Sequence, residues 1–108
     1  MLRSGQLSSL DLTEHALALL DTEGRALNAV VTLMPDRAIE AARLADDEIS
    51  RGVDRGPLHG IPYGAKDLLA AAGAPTTWGA APFREQVFET DATVVQKLEY
   101  AGAILVAK

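Results

Sequence analysis

No cysteine occurs among the 108 residues. That absence excludes disulfides, thiolate nucleophiles and Cys-ligated zinc, and it is compatible with a reducing cytosol. A cytoplasmic location is therefore the expectation. Aromatic residues make up only 5% of the chain, so a core must be assembled from Ala, Leu, Val and Ile within a 48% hydrophobic composition. No run approaches the 18 or so apolar residues that a spanning helix needs, and the opening "MLRSGQLSSLDL" lacks the apolar centre of a secretion signal. No membrane association is expected. Positive charge is also scarce: ten Lys and Arg against fifteen Asp and Glu leave a net charge of −5. The basic residues are scattered, which argues against a grip on phosphate backbones, and no nucleic-acid partner is expected. The only histidines, His15 and His59, show no metal-ligand spacing. No metal and no cofactor are expected.

What is present reads as one α/β domain at most. Ser8 and Asp11 have the spacing of a capping box, and Leu12, Ala16, Leu19 and Leu20 form a helical stripe that Gly24 can close. "ALNAVVTL" (26–33) predicts a buried strand or extended segment. Pro35 suits the first turn of a second helix, with Ala38, Ala42, Ala45 and Ile49 on one face and Gly52 at its end. Its Glu40, Asp46, Asp47 and Glu48 read as a solvated face. "HGIPYGAKDLL" predicts an extended strand running into a turn, and the Gly- and Pro-rich "AAAGAPTTWGAAPF" predicts a loop. Asp91 is a good N-cap for "ATVVQKLEYA", Gly102 a natural residue to end that helix, and "AILVAK" the strand that follows. A helix, a glycine and an apolar run make the helix-to-strand step of an α/β fold. Because nothing follows Lys108 to cover that strand, the chain reads as cut, with apolar surface left to associate with a second copy or another chain.

Lys66 is the residue with the most chemical promise. A phosphate-loop reading of Gly60 to Asp67 fails, because Ala65 stands where a glycine is needed and Asp67 where a hydroxyl should hold Mg²⁺. His59 reads as a turn histidine making ordinary hydrogen bonds. Alternation along "GIPYGAK" places Ile61, Tyr63 and Ala65 on one face and Pro62, Gly64 and Lys66 on the other. Gly64 then leaves room beside the lysine for a group approaching from a pocket. Thr76 and Thr77 read as turn or strand-entry residues, and Trp78 as filling for a core short of aromatics.

Three segments in order, "GPLHGIPYGAKD", "GAPTTWGA" and "DATVVQKLEYAGAILVAK", closely resemble the amidase signature family. "LRSGQLSSLDLTEHAL" and "LNAVVTL" are similar to its opening helix and first extended segment, so the resemblance covers essentially the whole chain. It implies the N-terminal part of the amidase signature fold, a mixed sheet flanked by helices. It also implies an amide-bond hydrolase in which a serine attacks the carbonyl and a second serine, with a cis peptide bond, relays protons. Lys66 matches the family's lysine base, and no metal or organic cofactor is implied. Such a base must be neutral, which asks for a shift of about three units from the ordinary lysine value. Apolar burial can supply this, but a paired carboxylate would oppose it. Asp67 is therefore expected to turn away from Lys66 and to bond backbone or a cap. Ala80 stands where many relatives carry a serine.

The family's Gly- and Ser-rich signature lies downstream of the segment matching this chain. Ser4, Ser8, Ser9 and Ser50 all precede Lys66, and none sits in a Gly-rich turn. Residues 1–108 are thus expected to be the N-terminal portion of a single amidase domain, inactive by itself, acting in the whole enzyme on a small-molecule amide. No residue can be assigned to substrate binding. Two alternatives stand beside this reading: the glutaminase (A) subunit of a tRNA-dependent amidotransferase, and a non-catalytic binding or assembly module. "TTWGAAPF" and "LVAK" look more like stand-alone amidases than like that subunit.

Overall fold

The computed structural model describes all residues from 1 to 108. Three α-helices and two strands follow one another along it: α1 (Ser9–Leu19), α2 (Pro35–Ser50), β1 (Pro62–Gly64), α3 (Thr93–Tyr100) and β2 (Ile104–Ala107). β1 and β2 pair in parallel, Pro62 opposite Ile104 and Tyr63 opposite Leu105, with an irregularity before Gly64 meets Ala107. A parallel pair needs a crossover, and the stretch ending in α3 supplies it. Of the 26–33 segment only 29–33 is extended: Ala26 is still helical, Leu27 and Asn28 form a turn, and Leu27 and Val31 are exposed, so the segment is neither a full strand nor buried as expected. Leu33 bridges Ala107 antiparallel, and the Val31 and Thr32 N–H groups both donate to the Lys108 carbonyl.

β2 is buried along its whole length, which corrects the expectation that it would lie uncovered. Ile104, Val106 and Ala107 pack on Ala38, Ala42 and Ala45 of α2, with Leu10, Leu17 and Leu20 closing the rim. On the other side, Leu105 meets Met34, Ala65, Ala71, Ala74 and Val95. Alanines on α2 let the helix approach the sheet closely, which compensates for the shortage of large aromatics.

The helix boundaries follow local chemistry more closely than the capping details do. Ser8 caps α1, its hydroxyl accepting from the Asp11 N–H at 2.9 Å and donating to the Asp11 carboxylate at 2.6 Å. The buried face of α1 is rotated from the leucine stripe onto Ser9 and Thr13, and Leu19 is exposed. Gly24 does not close the helix. The chain passes through a π turn (Leu20–Gly24), and Asn28, at φ +52°, marks the change of direction. Gly24 instead permits a close approach, since a Cβ there would lie 2.8 Å from a Val30 methyl. Pro35 opens α2 as expected.

Two of the acids expected to be solvated on α2 have structural work. Asp46 accepts from the backbone N–H groups of Ser9 and Leu10 at 2.6 and 3.0 Å, capping α1 from a different helix. Glu48 bonds Arg55 and lies 2.9 Å from His59 Nε2. Asp91 does not cap α3. Ala92 occupies that position, while the Asp91 carboxylate accepts from the Ala72 N–H at 2.7 Å and from Arg37 at 2.9 Å. A half-buried guanidinium and a loop N–H hold it in preference to the helix end.

Candidate active site

β1 ends at Gly64, and the next three residues reach the C-terminal edge of the sheet, where ligand sites of α/β folds gather. Ala65 is buried and its N–H donates to the Ala107 carbonyl at 2.9 Å, fixing the backbone beside β2. Lys66 follows and is exposed, without the apolar burial expected to favour a neutral amine. It lines a cleft of about 600 Å³ together with Gly64, Val31, Leu68, Trp78 and Lys108. Its ammonium makes neither an ion pair nor a hydrogen bond. Ala65 borders the same cleft, and the pairing is irregular between Tyr63 and Gly64, so strict alternation along "GIPYGAK" does not separate these two residues.

Asp67 turns away from Lys66, as the electrostatic argument requires. Its Oδ2 accepts from the Thr77 N–H at 3.1 Å and from the Thr77 hydroxyl. Its Oδ1 lies 3.1 Å from Lys108 Nζ, too poorly aligned for a hydrogen bond, so this contact is chiefly one of charge. Burial disfavours the Asp67 carboxylate, but Thr77 and the Lys108 ammonium together outweigh it and hold the carboxyl below its usual range.

Lys108 is the residue that sequence reasoning missed. Its side chain is 0% exposed, and its ammonium donates to the Pro75 carbonyl at 3.0 Å and to the Thr76 hydroxyl. Thr76 is accordingly fully buried, a partner of this lysine rather than a plain turn residue. A terminal lysine after an apolar strand carries no sequence signal that separates it from a solvated one. Trp78 also departs from expectation. It is 46% exposed at φ +54°, tilted against Phe83 with ring centroids 4.9 Å apart, and it walls the cleft instead of filling the core. His59 does make ordinary hydrogen bonds, accepting at Nδ1 from the Arg55 N–H at 3.3 Å, but it is buried.

A parallel β-α-β step with polar side chains gathered at its C-terminal edge defines an α/β domain with a site at the sheet margin. The family model described as Amidase matches residues 11–108, and the chain belongs to that family. It is 41% identical over 108 residues to AmiD of Mycobacterium tuberculosis, a protein described as an amidase, covering 100% of this chain and 23% of that protein. It is 40% identical to a glutamyl-tRNA(Gln) amidotransferase subunit of Chloroflexus aurantiacus, covering 99% of this chain and 22% of that one. Its fold matches the native peptide amidase of Stenotrophomonas maltophilia with a TM-score of 0.91 at 36% identity, over 99% of this chain and 22% of that structure. The chain thus spans less than a quarter of the length of the proteins it resembles. No helix is long and apolar enough to cross a membrane.

Proposed function

We propose that the protein carrying this sequence hydrolyses amide C–N bonds, with Lys66 as the base. The observation that supports this most is the separation of two adjacent charges: Lys66 faces the cleft unpaired while Asp67 is bound elsewhere. An amine can accept a proton only when neutral, and a carboxylate held against it would keep it charged. In the reaction, a serine hydroxyl attacks the amide carbonyl carbon and its proton passes through a second serine to the Lys66 amine. The C–N bond then breaks, and the proton returns to the leaving nitrogen. Water hydrolyses the acyl-serine, releasing the acid and restoring the hydroxyl. Both serines are supplied, in this reading, by polypeptide outside residues 1–108, because the chain spans 23% of the AmiD relative and its own serines lie in α1, before it, or at the end of α2.

The near-equal identity to AmiD and to the amidotransferase subunit gives glutamine a place among the candidate substrates. Ammonia release by the complete protein from aliphatic amides, aryl amides and glutamine tests the proposal. One of them should be turned over, and Lys66→Ala should lower that rate by a factor on the order of 10² to 10⁴. Undiminished turnover in Lys66→Ala would overturn the assignment. The isolated 108-residue chain should release no ammonia above background, and turnover by it would remove the need for serines outside this sequence.

A further inference from the structure

The buried group nearest the cleft is the cluster of Lys108, Asp67, Thr76 and Thr77. A lysine with no exposed side-chain surface is costly unless a carboxylate and acceptors surround it, and here all three supports converge on one ammonium. Its ion-pair partner is the residue immediately following Lys66. The same carboxylate is clamped from its far side by the N–H and hydroxyl of Thr77. Around the cleft the remaining walls are apolar or backbone: Leu20 from the π turn, Val30 and Val31 from the extended segment, Leu68, and Trp78. Asp67 and Lys108 are the only other titratable side chains on the wall that Lys66 shares.

We propose that Lys108 is a positioning residue, which together with Thr77 holds the Asp67 carboxylate off the Lys66 amine and so leaves that amine free to face the cleft. This rests on the reading of Lys66 as the base. If Lys108 only anchored the 75–78 loop to the end of β2, removing it would loosen the fold but leave the proton affinity of Lys66 where it was. If it sequesters Asp67, its removal leaves an unpaired carboxylate on the residue next to Lys66, on a cleft where Lys66 is the one cation remaining. The Lys66 ammonium would then be stabilised and would give up its proton only at higher pH.

Competitive acetylation with acetic anhydride, read by mass spectrometry of the Lys66 peptide in the complete protein, follows the amine directly and needs no known substrate. In Lys108→Met the midpoint of Lys66 labelling should move up by about one pH unit, a tenfold loss of neutral amine below it. Adding Asp67→Asn to that variant should return it to the parent value. Thr77→Val, a milder change that opens the other clamp, should move it up by less. A midpoint unmoved in folded Lys108→Met overturns the proposal. If that variant does not accumulate, an unmoved Thr77→Val does the same. Activity separates this from the underlying assignment: a shifted midpoint with undiminished hydrolysis in Lys66→Ala leaves the positioning role intact and removes the base.

Discussion

At the scale of single residues, Gly102 shows how one atom can be excluded for two independent reasons. It sits at φ +81° just after α3, and an added Cβ would lie 2.5 Å from His59 Cδ2. Gly102→Ala therefore meets both a backbone penalty and a clash with a buried ring that Glu48 and the Arg55 N–H hold in place. We expect a loss of about 2 kcal/mol or more in denaturant unfolding, against less than about 0.5 kcal/mol for Gly52→Asn. Gly52 also has a positive φ but open space around it, and asparagine tolerates that region. Equal losses in the two would show that the His59 contact contributes nothing. The helix-ending role of Gly102 was legible in the sequence, whereas its contact with His59 joins residues far apart in the chain. The same division holds at the cleft. The turn of Asp67 away from Lys66 was expected because a base, the role proposed for Lys66, is incompatible with a paired carboxylate. That Lys108 would receive the carboxylate depended on the pairing of β1 with β2, which no local pattern encodes. Trp78 failed as a core residue because a left-handed backbone at the loop tip carries its ring outward.

Among the elements, α2 was the most legible, because proline and glycine at its two ends act locally and its alanine face repeats at helical spacing. α1 was less so. Its first turn is stabilised from outside by Asp46, which satisfies two N–H groups that would otherwise lack partners. A carboxylate at a helix N-terminus also meets the positive end of the helix dipole. Asp46→Ala should cost about 1 to 2 kcal/mol, with Asp46→Asn recovering part of it, and Asp47→Ala should cost little. The Asp47 carboxylate meets only Arg51 one turn along, both side chains being well exposed. Unfolding curves for the three variants separate these roles, and similar losses at 46 and 47 would rule out the capping role. The sequence could not distinguish the two neighbours, since both are acids on a charged helix and only the docking angle of α1 selects one.

Across the whole molecule, an acidic chain is held together by a few carboxylates fixed between elements. Glu48 ties α2 to Arg55 and His59, Asp91 ties the loop at Ala72 to Arg37, and Asp67 ties β1 to the end of β2. Each carboxyl is held below its ordinary range. For Glu48 the Arg55 hydrogen bond leads, for Asp91 that of Arg37, and for Asp67 the hydrogen bonds and the Lys108 charge overcome burial. The sign of the consequence follows from linkage. A carboxyl whose folded-state affinity for protons is lowered contributes its stability above its unfolded pKa, near 4, and loses it as pH falls through the lower folded value. Stability should therefore be flat from neutrality to about pH 5 and decline steeply below about pH 4. Asp91→Asn tests this in the complete protein, because contributions from the rest of the polypeptide cancel in the difference from the parent. The variant should melt well below the parent at neutral pH, where Arg37 keeps only the exposed Glu99 as an ionised partner. The gap should narrow as acid removes the same charge from the parent. A gap that stays constant from neutral pH to about pH 3 would mean that the Arg37–Asp91 contact stabilises by packing alone, and the charge pairing proposed for the other two carboxylates would lose its closest parallel.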